Sequence, residues 1–203
     1  MRRRSVGDIR EASSLRPQKH RLMPRLPIAL VAPAAFAALT CAAVASSITV
    51  DSSAFWNGGA IPPIDSASTG GCRGRNISPP LRVSGVPSNA RSLGVVMDDT
   101  DANGGAGFVH WVAYGISPRT TTLPSGFGST PGAFVGGRND AGTALYSGPC
   151  PPPGDPPHHY RFSVYALSLA PSRLAPGLTR TAFLHAIAGQ SLAVGTLSGT
   201  FGR

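Results

Sequence analysis

The chain has 203 residues, 41% of them hydrophobic, with 25 glycines and 20 prolines. That length suits one domain behind a leader, and the spread of apolar runs excludes intrinsic disorder. The net charge of +9 does not mark a nucleic-acid-binding protein. Eight of the 18 Lys and Arg residues fall within residues 1–45, leaving ten against seven acidic residues from 46 onward, and no basic stripe interleaved with aromatics follows.

Residues 28–45 read IALVAPAAFAALTCAAVA, after Arg21 and Arg25, and end in Ala43-Val44-Ala45. A basic region, an apolar region and a small-residue cleavage site in that order form a secretory signal pattern. The expected organisation is therefore a leader over residues 1–45 and one domain over 46–203, in an exported, secreted or envelope-associated protein. A single-span anchor fits less well, because Pro27 and Pro33 interrupt the apolar stretch. Lipidation at Cys41 also fits less well, because Thr40 precedes it. Either Met1 or Met23 could start translation.

Ile48-Thr49-Val50 and the stretch from Ala60 to Ile64 read as an early strand or two with loop between. The paired prolines of Asn76-Ile77-Ser78-Pro79-Pro80-Leu81 exclude a central strand or a helix interior there. Ser92 to Met97 is a short buried strand emptying into the acidic run Asp98-Asp99-Thr100-Asp101. Asn103 to Gly107 is a glycine-rich turn, and Phe108 to Ile116 resumes strand character. Leu123 to Gly142 is mostly loop. Gly148 to His159 reads GPCPPPGDPPHH, a stiff non-helical loop, and Tyr160 to Leu167 alternates as a strand. Such a loop holds His158 and His159 in place, as a preformed pocket requires. Thr181 to Ala188 has helical spacing with Thr179 as N-cap, and Leu192 to Phe201 is a last strand. Short strands, long Gly/Pro loops and one late helix predict an all-β antiparallel sandwich.

Three separated motifs carry a family resemblance. They are the Asn76 to Leu81 stretch, Asp99-Thr100-Asp101-Ala102 followed by His110-Trp111, and Gly137-Arg138-Asn139-Asp140-Ala141-Gly142 leading through Tyr146 to Gly148-Pro149-Cys150-Pro151-Pro152 and His158-His159-Tyr160. In order and spacing the chain resembles the phosphatidylethanolamine-binding protein family, in its bacterial Raf-kinase-inhibitor-like (YbhB/YbcL-type) branch, over roughly residues 70–203. The resemblance implies a β-sandwich with a small anion-binding pocket at one end, lined by Asp99, Asp101, His110 and His158. Three departures stand out. The family's Asp-Pro-Asp-Ala-Pro is here Asp99-Thr100-Asp101-Ala102-Asn103, its arginine after the last pocket histidine is His159, and its tryptophan after Pro-Pro-Leu is Val83. They put the stiffness of the acidic loop, and one positive charge near the pocket, in question.

Imidazole N–H groups can donate to a phosphate or carboxylate, more strongly when protonated. Asp99 and Asp101 would then accept from the other imidazole nitrogens and favour the charged rings. Outside this motif context the acidic run reads as a solvated turn, His110 as a core histidine and His158 as strand-edge polarity. His159 is expected as a structural or rim residue and His185 on the surface. Cys72 and Cys150 flank two of the motifs, and in an exported protein they read as a disulfide, the rival being two reduced buried thiols.

The expected function is an exported binding protein for a small anionic or phosphorylated ligand, such as a phospholipid headgroup. The alternative is inhibition of a protease or kinase through surface loops. An enzyme is not expected, since no nucleophile elbow is present; a zinc hydrolase built on the two histidines and two aspartates is the third reading. No catalytic residue, metal or cofactor is assigned. Membrane contact is expected only through the N-terminal segment, and homodimerisation stays open.

Overall fold

The computed structural model describes residues 47–203. The expectations for the leader, including Cys41 and the boundary at Ala45, lie outside the described residues.

The described residues form eight strands in two antiparallel sheets, the long ones from period-2 runs. Strands β1 (Thr49–Asp51), β2 (Leu81–Ser84) and β5 (Thr122–Leu123) make the smaller sheet, in the order β1-β2-β5. Strands β3 (Ser92–Asp99), β4 (Phe108–Ile116), β6 (Val135–Gly136), β7 (His158–Leu167) and β8 (Ser191–Phe201) make the larger, in the order β6-β4-β3-β7-β8.

Alternation sorts the larger sheet into two faces. Leu93, Val95 and Met97 of β3 face the smaller sheet. There they pack with Trp111, Phe162 and Val164, and with Val50, Leu81, Val83 and Leu123 opposite. Val96, Val112 and Tyr114 face outward and are buried under an α-helix, α1 (Arg180–Ala186). Phe183 of α1 stacks on Tyr114 with ring centroids 5.3 Å apart. It lies over Gly94, where an added Cβ would meet the ring at 2.6 Å, so only glycine admits this contact. The Thr179 hydroxyl caps α1 by accepting from the Ala182 amide at 3.3 Å.

The sandwich, the long strands and the capped helix agree with the sequence reading. Strands β2, β5 and β6 were not expected. At two to four residues each, they are too short for alternation to register, and tertiary pairing makes them. Two boundaries also move. β3 continues through Asp98 and Asp99, and β7 begins at His158. The acids and the first histidine are strand residues, with directions set by the sheet.

Candidate functional site

The ends of β3, β4 and β7 meet at one end of the sandwich. Asp99 lies opposite Tyr160, and Asp98 opposite Arg161. Neighbours in a strand point to opposite faces, so Asp99 faces inward and Asp98 outward. His158 lies two residues before Tyr160 and shares its inward face. His110 arrives by another route. On β4, Trp111 pairs with Met97 and Val109 with Asp98, so the register skips His110. The extra residue is a β-bulge, a device that re-aims a side chain. The carbonyl that it frees accepts from the Asn139 side-chain amide at 2.9 Å and the Ser147 amide at 3.0 Å.

Asp99 organises the site. Its Oδ2 is 2.8 Å from His158 Nδ1 and 4.0 Å from His110 Nε2. Its Oδ1 accepts from the amides of Asp101 and Ala102 at 2.9 and 3.0 Å. His158 Nε2 lies 3.5 Å from Asp155 Oδ2. Both imidazoles are buried, at 5% exposure for His110 and 7% for His158, yet they titrate in opposite directions. Burial opposes charging His158, but the hydrogen bond to Asp99 and its charge outweigh burial, and Asp155 adds to them; the ring is held above its ordinary value. For His110 burial dominates over its Ser147 hydrogen bond and the nearby carboxylates, and the ring is held below its ordinary value.

The sequence reading paired carboxylates with both rings, and that holds for one. His110 Nδ1 is 2.7 Å from the Ser147 carbonyl oxygen. A carbonyl only accepts, so Nδ1 carries the proton and Nε2 faces Asp99. The pocket therefore presents two imidazoles of opposite bias, His158 toward its charged form and His110 toward its neutral form.

Asp101 lines the cavity, but its carboxylate serves another residue. Its Oδ2 accepts from the His159 amide at 2.6 Å and lies 2.9 Å from His159 Nδ1. The backbone hydrogen bond from His159 is the largest cause holding the Asp101 carboxyl below its ordinary value. His159 is exposed. The departures in the acidic loop have local compensation. Thr100 has the amide that proline lacks, and it donates to the His159 carbonyl at 3.0 Å. Asn103 has φ 54°, which proline cannot adopt, and its side chain donates to the Gly107 carbonyl at 2.9 Å. Val83, in place of tryptophan, is a buried core residue.

These residues line a cavity of about 380 Å³ whose other walls include Thr69, Gly70, Gly148, Cys150 and Pro151. All four sequence-predicted site residues border it, and among the described residues no lysine or arginine does. The Cys72–Cys150 disulfide, with Cα atoms 5.8 Å apart, ties the Cys150 wall to the segment that follows Thr69 and Gly70. Arg203 links the same stretches, donating from Nε to the Pro151 carbonyl at 2.6 Å and from a terminal nitrogen to Gly70 at 3.1 Å. Asn76, at φ 53°, accepts from the Gly148 amide at 2.7 Å and donates to the Tyr146 carbonyl at 3.0 Å. Gly148 presses so closely on the Asp65 backbone that an added Cβ would lie 2.4 Å from its carbonyl oxygen.

Sequence reasoning missed Asp155, Ser147 and Tyr160. Asp155 was legible as the lone acid within the proline-rich run. Ser147 acts through its carbonyl, which no side-chain motif reports. The Tyr160 ring packs edge-on against His110, 5.3 Å between centroids. Burial and then the charge of Asp99 hold its phenol well above the ordinary value. Among the described residues no three His, Cys, Asp or Glu side chains are placed to hold a metal ion.

Comparison with known proteins matches residues 51–202 to the family model described as phosphatidylethanolamine-binding protein. A UPF0098 protein of Pyrococcus abyssi is 40% identical over 137 residues, 65% of this chain and 75% of its own. LppC of Mycobacterium tuberculosis, named for a lipoprotein, is 40% identical over 166 residues, 80% of this chain and 78% of its own. The crystal structure of Escherichia coli YbcL, described as a member of the mammalian PEBP family, superposes with a TM-score of 0.70 at 31% identity, over 77% of this chain and 99% of YbcL. The bulge-directed histidine, the strand-end aspartate and the walled cavity thus sit on a fold and sequence framework shared with these proteins, and the chain belongs to the phosphatidylethanolamine-binding protein family.

Proposed function

We propose that this protein binds a small ligand through an anionic group, a phosphate or carboxylate, taken up in the cavity between His158 and His110. The observation that carries the reading is one carboxylate oxygen, Asp99 Oδ2, at 2.8 Å from His158 and 4.0 Å from His110, at the wall of an otherwise preformed cavity. Asp99 favours the charged form of His158, and a charged imidazole donates strongly to an oxyanion. His110 Nε2 donates only when it takes up a proton. An anion entering beside it favours that uptake, so binding and protonation are linked. The three carboxylates around the cavity oppose anions and confine binding to ligands that engage both rings. The export that the leader motif suggests is supported by the lipoprotein name of the Mycobacterium relative, and the reading is of an extracytoplasmic binding protein with no catalytic residue.

The test is a titration with inorganic phosphate, followed by the histidine ring resonances. Binding is expected to tighten as pH falls from about 8 to about 5, and His158→Ala is expected to abolish the response while the protein stays folded. Affinity independent of pH over that range would sink the reading.

A further inference from the structure

Back to back with the main cavity, on the outer face of the larger sheet, lies a second cleft of about 210 Å³, bordered by Asp98, Asp140, Arg161 and Arg180. The two sites share Asp99 and Phe108 as lining residues. Asp98 is buried at 8% exposure, and two guanidinium groups converge on it. Arg180 Nε lies 2.8 Å from Asp98 Oδ1, and an Arg161 terminal nitrogen lies 3.8 Å from Asp98 Oδ2. The second distance is beyond hydrogen-bond reach. The first is short but poorly aligned, so the buried Nε–H has no hydrogen bond of good geometry.

An ion pair that ties α1 to β3 needs one arginine. Here two forks, with five N–H donors each, share a single carboxylate. Asp140, a second acid of the cleft, spends its Oδ2 on the Val109 amide at 2.8 Å, and Asp99 is engaged by the amides of Asp101 and Ala102 and by His158. Both arginines line the cleft with most of their donors unspent on Asp98, and the Arg161 side chain is 45% exposed. We infer that this cleft is a second binding site, for a carboxylate group held between Arg161 and Arg180. A planar, singly charged carboxylate matches the guanidinium fork. A phosphate dianion would bring a further negative charge toward Asp98 and Asp140. The main cavity, by contrast, has no guanidinium on its walls.

The test uses sodium acetate as the probe, with sodium chloride at equal ionic strength as reference, and the arginine Nε–H resonances as readout. Acetate is expected to give saturable shifts at Arg161 and Arg180, and chloride is not. Arg161→Gln, with an unchanged thermal midpoint, is expected to weaken the acetate response at Arg180 at least about tenfold. His158→Ala, which removes a ring of the main cavity, is expected to leave it intact. Equal shifts in chloride, survival of the response in Arg161→Gln, or its loss in His158→Ala would each overturn the assignment. The last outcome would assign the response to the main cavity, so the two sites are judged separately.

Discussion

Asp98 and Asp99 are adjacent in the chain and serve opposite faces of one sheet. Asp98 holds Arg180 at 2.8 Å on the outer face, and Asp99 holds His158 at 2.8 Å on the inner. The pleat alone separates them, so the same two-residue step supplies the carboxylate of each cleft.

Replacing Asp99 by Asn keeps an oxygen for the amides of Asp101 and Ala102 but removes the charge beside His158. The His158 titration midpoint is expected to fall below its ordinary value, because burial then acts unopposed by that charge. Ring resonances followed against pH report it. A midpoint that stays raised would assign the shift to another group.

The two imidazoles couple stability to pH with opposite signs. His158 is raised above 6.5 in the folded state. Its contribution is full below 6.5 and is lost as pH rises through the folded value. His110 is lowered below 6.5, so its contribution is present above 6.5 and is lost as pH falls through the folded value. Relative to the parent protein, His158→Ala is expected to lose more stability in mild acid than at pH above 7, and His110→Ala the reverse. Urea unfolding at several pH values checks the pair, and slopes of the same sign would contradict the assignment.

Asp65 is buried at 2% exposure with its Oδ2 unpartnered, and burial pushes its carboxyl from 3.8 to about 6. A carboxyl raised in the folded state stabilises when protonated, and that stability is lost as pH rises from 3.8 through 6. Asp65→Asn is expected to flatten the decline between those limits by about 2 kcal/mol. Denaturant midpoints at the two ends measure it, and an unchanged slope would show that Asp65 finds a partner in solution.

The Cys72–Cys150 link closes a sequence separation of 78 residues. On the chain-entropy model that stabilises by about 4.5 kcal/mol as an upper value. Replacing both cysteines by serine is expected to lower stability by several kcal/mol, and to weaken the phosphate response because the Cys150 wall of the cavity loses its tie. Non-reduced protein is expected to show no reactive thiol at either position in a thiol count, and two such thiols would remove the link from the account.

The long strands, the capped helix and the order of the acid and histidine motifs were legible in the amino-acid sequence, because each depends on local periodicity or local turn chemistry. Proline and glycine punctuation reported the stiff walls for the same reason. The partners of the side chains were not legible. Alternation tells that Asp98 and Asp99 diverge, but which one faces the cavity depends on register against Arg161 and Tyr160, some sixty residues away. His110 defeats alternation altogether, since a bulge set by pairing with β3 turns it toward Asp99 and leaves a carbonyl as its partner. Periodicity is a property of one strand, whereas register, bulges and burial belong to pairs of strands, and the opposite shifts of the two histidines follow from the pairs.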